Sequence, residues 1–385
     1  MAAINTFRHA AGTHDPIPLP PVAPRELLRG WDAIELWVGN ARAVSGFLCS
    51  TFGFHVTAYA GPETGWHDRA SYVLEQGRIR FVVTAALTPD SLIANHVRKH
   101  GDGVHDVAFA VTDAISAFRA ATARGAPPIE SPHDVSDDHG VVRLSSIAAY
   151  GETRHTFVDR SHYRGPYRPG YKTDRLPVEP AGDPVGLQLI DHVVANVEQG
   201  QLEHWVDFYR SVLGFERLRH FDDSQISTQY SALMSTVVWD GSEIVLPINE
   251  PADGLKRSQI QEYLDTYHGP GVQHIALRTD DIVSAVASLR SRGLRFLEAP
   301  PTYYDDVRRR LRHLDLPWDE IQRLGILVDE EPDGWLLQIF TETVTDRPTL
   351  FIEIIQRGGA RGFGQGNFKA LFEAFEAEQA RRGHL

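Results

Sequence analysis

The chain has 385 residues, 42% of them hydrophobic and 23% charged, which is enough apolar material for two packed domains and too balanced for disorder. Its formal net charge of −13, from 38 basic against 51 acidic side chains, argues against a nucleic-acid partner, because binding a phosphate backbone rests on clustered Lys and Arg. The single cysteine, Cys49, leaves no intramolecular disulfide. With no basic-then-apolar leader and no run of about 18 apolar residues, a cytoplasmic protein without a membrane partner is expected.

Residues 1–24, with Pro16, Pro18, Pro20, Pro21 and Pro24, read as an N-terminal arm. Residues 25–160 read as a first α/β domain. Within it, Ala43–Phe54 is a helix closed by Gly53 before a new strand, and His100–Asp113 is a glycine turn, a short apolar strand and an Asp cap. Ala114–Gly125 follows as an amphipathic helix. The Pro and Gly density of 161–186 reads as a linker. The same signals then return over 187–385. His204–Phe215 parallels Ala43–Phe54, and His268–Asp281 with Ile282–Gly293 parallels His100–Asp113 with Ala114–Gly125. The expected architecture is α/β (α+β), with two tandem domains related by duplication and each built from two βαβββ units. At the end, Phe368, Leu371, Phe372 and Phe375 fall at helical spacing and predict a terminal helix that docks its aromatic face on the second domain.

Three residues in the second half carry chemistry. His192 and His274 sit inside apolar strands, and Glu353 lies among large aliphatic and aromatic neighbours in Leu350–Gln356. A buried glutamate costs several kcal/mol unless paired, and a cation would compensate it. Two imidazoles and one carboxylate are the ligand set of non-heme Fe(II) oxygenases, with positions left open for substrate and dioxygen. Zinc remains possible on ligand type alone, although there is no cysteine pair and no helical His-Glu-x-x-His. One histidine in a strand is more often a hydrogen-bonded core residue, but three such residues in one repeat half each need an explanation. In the first half Asp106 is expected at the position of His274, Leu36 at that of His192 and Thr156 near that of Glu353, so only the second half should bind metal. Gln273, adjacent to His274, is expected on the opposite strand face and outside the site.

Several blocks resemble the 4-hydroxyphenylpyruvate dioxygenase family. They are Pro247–Pro251, Ser258–Tyr263, Gly271–Ala276, Leu336–Phe340, Asp346–Phe351 and Gly362–Phe368. The resemblance is nearly continuous from 187 to 383 and weaker in the first half, as at Trp37–Asn40. It implies tandem vicinal-oxygen-chelate domains forming half-open barrels, a homodimer or homotetramer, and one Fe(II) per subunit held by His192, His274 and Glu353. It implies conversion of 4-hydroxyphenylpyruvate and O2 to homogentisate and CO2, a step of tyrosine catabolism. It further implies Ser235, Asn249 and Gln259 as polar groups near the substrate, with Gln338, Phe340, Phe363, Asn367 and Phe368 completing the pocket. A 2-oxo acid could chelate the metal through its carboxylate and keto oxygens while Phe363 and Phe368 sandwich the phenol ring. Gly362, Gly364 and Gly366 could hinge the terminal helix as a lid. Plainer roles compete: a turn for Asn249, a helix cap for Gln259, terminal packing for the two phenylalanines.

The nearest alternative is 4-hydroxymandelate synthase, from which Pro247, Asn367 and Phe368 argue away through pocket shape. A non-catalytic ligand-binding protein of the same fold has no use for a buried Glu353. Extradiol ring cleavage lacks a well-placed acid–base group, since His204, His220 and His268 lie in helix, strand-end or turn contexts.

Overall fold

The computed structural model describes residues 22–174, 176, 182–221, 232–252 and 257–383, so the expected N-terminal arm lies almost wholly outside it. Apolar and β-branched runs bounded by glycine turns become strands, and Asn, Asp or Ser caps start several of the helices between them. In the first half these are α1 (Pro24–Leu27), β1 (Leu28–Trp37), α2 (Ala41–Phe47), β2 (His55–Ala60), β3 (Arg69–Gln76), β4 (Ile79–Ala86) and α3 (Leu92–His100). There follow β5 (Gly103–Val111), α4 (Ala114–Ala123), β6 (Pro128–Asp137), β7 (Gly140–Ala148) and β8 (Arg154–Tyr163). The sheet order is β2-β3-β4-β1-β5-β8-β7-β6, which is two βαβββ units joined along β1 and β5.

The second half repeats the plan. It runs β9 (Leu187–Asn196), α5 (Leu202–Phe208), β10 (Glu216–Phe221), β11 (Ala232–Trp239), β12 (Val245–Ala252), α6 (Gln259–Tyr267), β13 (Gly271–Thr279) and α7 (Ile282–Ser291). Two inserted helices, α8 (Pro301–Arg310) and α9 (Trp318–Leu324), precede β14 (Leu327–Glu331), β15 (Gly334–Phe340), β16 (Phe351–Gly358) and α10 (Phe368–Arg381). The order β10-β11-β12-β9-β13-β16-β15-β14 matches the first sheet strand for strand, and each sheet curls into a half-open barrel.

The duplication extends to detail. Asn40 caps α2 by accepting from Ala43 N at 3.0 Å, while Asp113 and Asp281 cap α4 and α7 in the same manner. Both α2 and α5 run on into a π turn, Leu48–Phe52 and Tyr209–Leu213, each ended by a glycine at φ 73° or 80°. That left-handed conformation suits glycine because it has no Cβ to clash with the preceding carbonyl.

One continuous apolar core joins the halves, with Ile34, Phe81 and Phe109 of the first sheet in the same cluster as Val193, Ile275 and Ile352 of the second. Polar stitches cross the seam. Gln76 Oε1 accepts from Val185 N and Leu187 N at 3.1 and 3.0 Å, and Arg78 pairs with Glu243 at 2.5 Å. β8 runs to Tyr163, so the expected linker segment begins inside a strand; beyond it Tyr167 and Tyr171 are buried against the first sheet. α10 forms where the aromatic spacing predicts. Its Phe375 ring lies 5.3 Å from Phe351, and Gln379 Nε2 donates to Glu262 Oε2 of α6 at 3.0 Å. The side chains of Phe368 and Phe372 lie outside the described part. Among the described residues no helix is long and apolar enough to cross a membrane.

His155 on β8 is fully buried at this seam, its Nδ1–H donating to Val107 O at 2.9 Å and its Nε2 accepting from the Tyr209 hydroxyl at 2.7 Å. Burial holds its pKa down at about 4, below the ordinary 6.5. The unfolded chain therefore binds more protons than the folded one between those values, and stability falls as pH drops from 6.5 to 4, by up to about 3 kcal/mol. His155→Phe should lower stability at pH 8 by roughly 1–3 kcal/mol, because Val107 O and the Tyr209 hydroxyl lose their partner. It should also flatten the decline across that window. Urea melts at a series of pH values would check this; a wild-type-to-variant difference that stays constant from pH 8 to 4 rejects His155 as the titrating group.

Candidate metal centre and its cavity

Three adjacent strands build the site. His192 on β9 and Glu353 on β16 both pair with Ala276 of β13, so the three positions form one row across the sheet. His274 lies two residues before Ala276 on the same strand and therefore on the same face. Ala276 is small and wholly buried, which leaves the space above it to its neighbours. The result brings His192 Nε2 to 3.1 Å and His274 Nε2 to 3.4 Å from Glu353 Oε2. All three side chains are buried, and their nitrogen and oxygen atoms lie close enough together to hold a metal ion.

The surrounding groups suit a cation there. His192 Nδ1 donates to Asp191 Oδ1 at 2.8 Å, which presents Nε2 toward Glu353. Asp191 in turn takes a two-pronged contact from Arg357, with Nη2 at 2.7 Å and Nε at 2.8 Å. His274 Nδ1 donates to Gln273 Oε1 at 3.1 Å, and its ring stacks 4.6 Å from Phe351. Such partners on the far nitrogens fix the tautomer and orientation of metal-binding imidazoles.

The electrostatics agree. Burial alone would raise the Glu353 and Asp191 carboxyls, but the imidazoles of His192 and His274 hold Glu353, and the Arg357 guanidinium with His192 holds Asp191, below the usual carboxylate range. Burial would lower His192, yet Glu353 and Asp191 push it up to about 9, whereas burial prevails at His274 and lowers it. Two buried carboxylates thus face one permanent cation, Arg357, and the row favours a further positive charge between the imidazoles and Glu353.

Above the row is a half-open pocket of about 650 Å³, open solvent included. Of the sequence-predicted residues, Ser235, Asn249, Gln259, Gln338, Phe340 and Phe363 all line it together with His192, His274 and Glu353. Ser235 and Asn249 are cross-strand partners on β11 and β12. Gln259 is the first residue of α6, whose cap is Ser258, and its Oε1 is buried without a hydrogen-bond partner among the described residues, as is Gln338 Nε2. Unpaired polar atoms aimed into a mostly apolar cavity are what a ligand with its own donors and acceptors would satisfy. Phe363 stands edge-on to His192 at 5.2 Å. Asn367 is buried but absent from the wall, its Oδ1 accepting from the Tyr303 hydroxyl at 2.6 Å. Phe368 opens α10, and its side chain lies outside the described part.

Two readings from the sequence need correction. Gln273 lines the cavity, because β13 carries a bulge between Val272 and His274 that breaks strict alternation. The first-half counterpart of His192 is Ala33, not Leu36: Ala33 pairs with Ala108 as His192 pairs with Ala276. An offset of three residues points a side chain to the other face of the sheet. Asp106 and Thr156 do stand at the positions of His274 and Glu353. There Asp106 is bound by Arg154 Nε at 3.0 Å, by Thr156 N at 3.1 Å and by the Thr156 hydroxyl, so its charge is already compensated. The Asp191–Arg357 pair was missed; an Asp directly before a strand His was its only sequence signal.

Residues 29–168 match the family description "Hydroxyphenylpyruvate dioxygenase, HPPD, N-terminal", and residues 189–339 match the "Glyoxalase/Bleomycin resistance protein/Dioxygenase superfamily". A curated 4-hydroxyphenylpyruvate dioxygenase from Dictyostelium discoideum is 48% identical, covering 93% of this chain and 100% of its own length. The corresponding enzyme of Danio rerio is 46% identical over 91% of both chains. The chain belongs to the 4-hydroxyphenylpyruvate dioxygenase family. Among solved structures, a triple mutant of 4-hydroxymandelate synthase from Streptomyces coelicolor superposes with a TM-score of 0.82 at 36% identity, over 92% of this chain and 99% of that one. In this family member the row of three strands predicts a specific weakness. Asp191→Asn should lower divalent-metal affinity about 10–100-fold with the far-UV circular dichroism unchanged. Anaerobic metal titration measures it, and an unaltered affinity would remove Asp191 from the orienting role.

Proposed function

We propose that the chain is an Fe(II)-dependent dioxygenase that converts 4-hydroxyphenylpyruvate and O2 to homogentisate and CO2 in tyrosine catabolism. The observation that carries this reading is the buried His192–His274–Glu353 group opening into a cavity whose remaining wall is aliphatic and aromatic, with the hydroxyl of Ser235 and the amides of Asn249, Gln259, Gln273 and Gln338 set into it. One Fe(II) per subunit, held by those three residues, would supply the dioxygen binding and redox chemistry. The chain's own groups do the rest. Asp191 and Gln273 hold the two imidazoles with Nε2 toward Glu353. Phe340 and Phe363 shape an apolar slot for the aromatic ring and keep water from the reacting end, with Phe368 proposed beside them. Ser235, Asn249, Gln259 and Gln338 offer donors and acceptors to the substrate's phenol and oxo-acid ends, and Asn367 positions the segment that carries Phe363.

The reading takes 25–160 as an assembly domain without the iron centre, 161–186 as a linker and 187–385 as the catalytic domain, in a cytoplasmic homodimer or homotetramer. The relatives named above support ring hydroxylation over the synthase, whose structure is less similar in sequence. Pro247, a cavity residue, supports the same choice.

Anaerobic loading with Fe(II), followed by O2 and 4-hydroxyphenylpyruvate, should give homogentisate with one CO2 per O2. Hydroxymandelate as the product would move the assignment to the synthase, and bound iron without turnover would reject the substrate. A second outcome concerns Phe363. Its ring covers His192, and the chain turns directly beyond it at Gly364, where φ is 71° and an added Cβ would meet the Gln338 amide at 2.8 Å. Phe363→Ala should therefore admit water and raise O2 consumed per homogentisate formed. An oxygen-electrode assay paired with product chromatography reads the ratio, and an unchanged ratio would deny Phe363 the sealing role.

A further inference from the structure

A second group with the same donor set lies in the first half. Ser91 caps α3, accepting from Ala94 N at 3.1 Å, and the helix then places His96 and His100 one turn apart on its buried face. The turn between β7 and β8 brings Glu152 against them. His100 Nε2 is 3.2 Å and His96 Nδ1 is 3.7 Å from the same Glu152 Oε2. The three ligand atoms lie within 4.8 Å of one another. At the centre on β9, β13 and β16 the matching separations are 3.1 and 3.4 Å. Ligands about 2.1 Å from a shared ion at ordinary angles stand about 3.0–3.4 Å apart, so a small swing of the partly exposed Glu152 side chain completes the set.

The nitrogens point the same way. His100 Nδ1 is directed at the Tyr267 carbonyl, so it carries the hydrogen and leaves the Nε2 lone pair facing a carboxylate oxygen. His96 is only 2% exposed, and neither ring nitrogen has a hydrogen-bond partner among the described residues. A plain His100–Glu152 ion pair would account for one imidazole and leave His96 idle. A cation between the three accounts for both. Lys99 Nζ binds the other carboxylate oxygen, Oε1, at 2.7 Å and leaves Oε2 turned inward.

We propose that His96, His100 and Glu152 form a second divalent-cation site, independent of the iron centre. Two imidazoles select a borderline ion of the Zn2+ class over Mg2+ or Ca2+, which prefer oxygen ligands. The exposed flank of Glu152 gives the ion its entry. The role is structural: the ion ties α3 to the β7–β8 turn, and the His100 ring, stacked 4.4 Å from Tyr267, carries that clamp to α6 of the second half.

The test is Zn2+ equilibrium dialysis on the Fe(II)-loaded protein under anaerobic conditions, counting both metals in the same sample. Wild type should bind one Zn2+ per chain while retaining its iron, and its melting temperature should rise with added Zn2+. Glu152→Gln, a change at the surface that should leave folding and homogentisate formation intact, should weaken zinc binding at least about tenfold. It should also abolish the thermal shift. Lys99→Gln, which frees Oε1, should tighten binding. Zinc that enters only as iron leaves, or that binds equally well to Glu152→Gln, overturns the proposal.

Discussion

The Glu353 carboxylate, 2% exposed in the middle of an apolar strand, is the constraint around which the second half is organised. A charge so placed needs compensation of nearly its full desolvation cost. The sheet provides it through register: β9, β13 and β16 bring two imidazoles to one carboxylate oxygen, with Ala276 as the small residue beneath them. Arg357 then fixes the arrangement from outside. It grips Asp191, which orients His192, and also donates to Gly362 O at 2.6 Å, next to Phe363. One guanidinium therefore links the orientation of His192 to the segment that closes the cavity.

The first half shows what the same framework becomes without that requirement. Its strands keep the order, the caps and the π turns, but Ala33 and Thr156 replace two of the three polar positions, and Asp106 is neutralised by Arg154. Among the described residues, Asp106 is left with no uncompensated charge to attract an ion into that barrel. Its contribution is the shared core and the polar seam at Gln76, His155 and Tyr209, which hold the second sheet from behind. A duplicated fold has separated support from chemistry while keeping one backbone plan.

Much of this was legible because it is periodic or local. Glycine-led strands, Asp caps and the Gly53 and Gly214 stops recur in both halves at matching spacing, so the duplication and the paired βαβββ units follow from the residues. Polar residues inside apolar strands marked His192, His274 and Glu353 for the same reason. What escaped notice depends on long-range register. Strict alternation put Gln273 on the wrong face, since a one-residue bulge leaves no mark in sequence. Matching Leu36 to His192 failed by three residues for want of the pairing partner. Asp191 and Arg357 are 166 residues apart, and His96, His100 and Glu152 meet only after the β7–β8 turn folds back on α3.

The central claim is that one iron ion belongs in the row above Ala276. Crystals grown anaerobically with Fe(II), measured on both sides of the iron absorption edge, test it most directly. The account predicts an iron-specific anomalous peak in every subunit within bonding distance of His192 Nε2, His274 Nε2 and Glu353 Oε2. Iron-loaded protein with no peak at that point, or with its iron held in the first-half barrel, would contradict it.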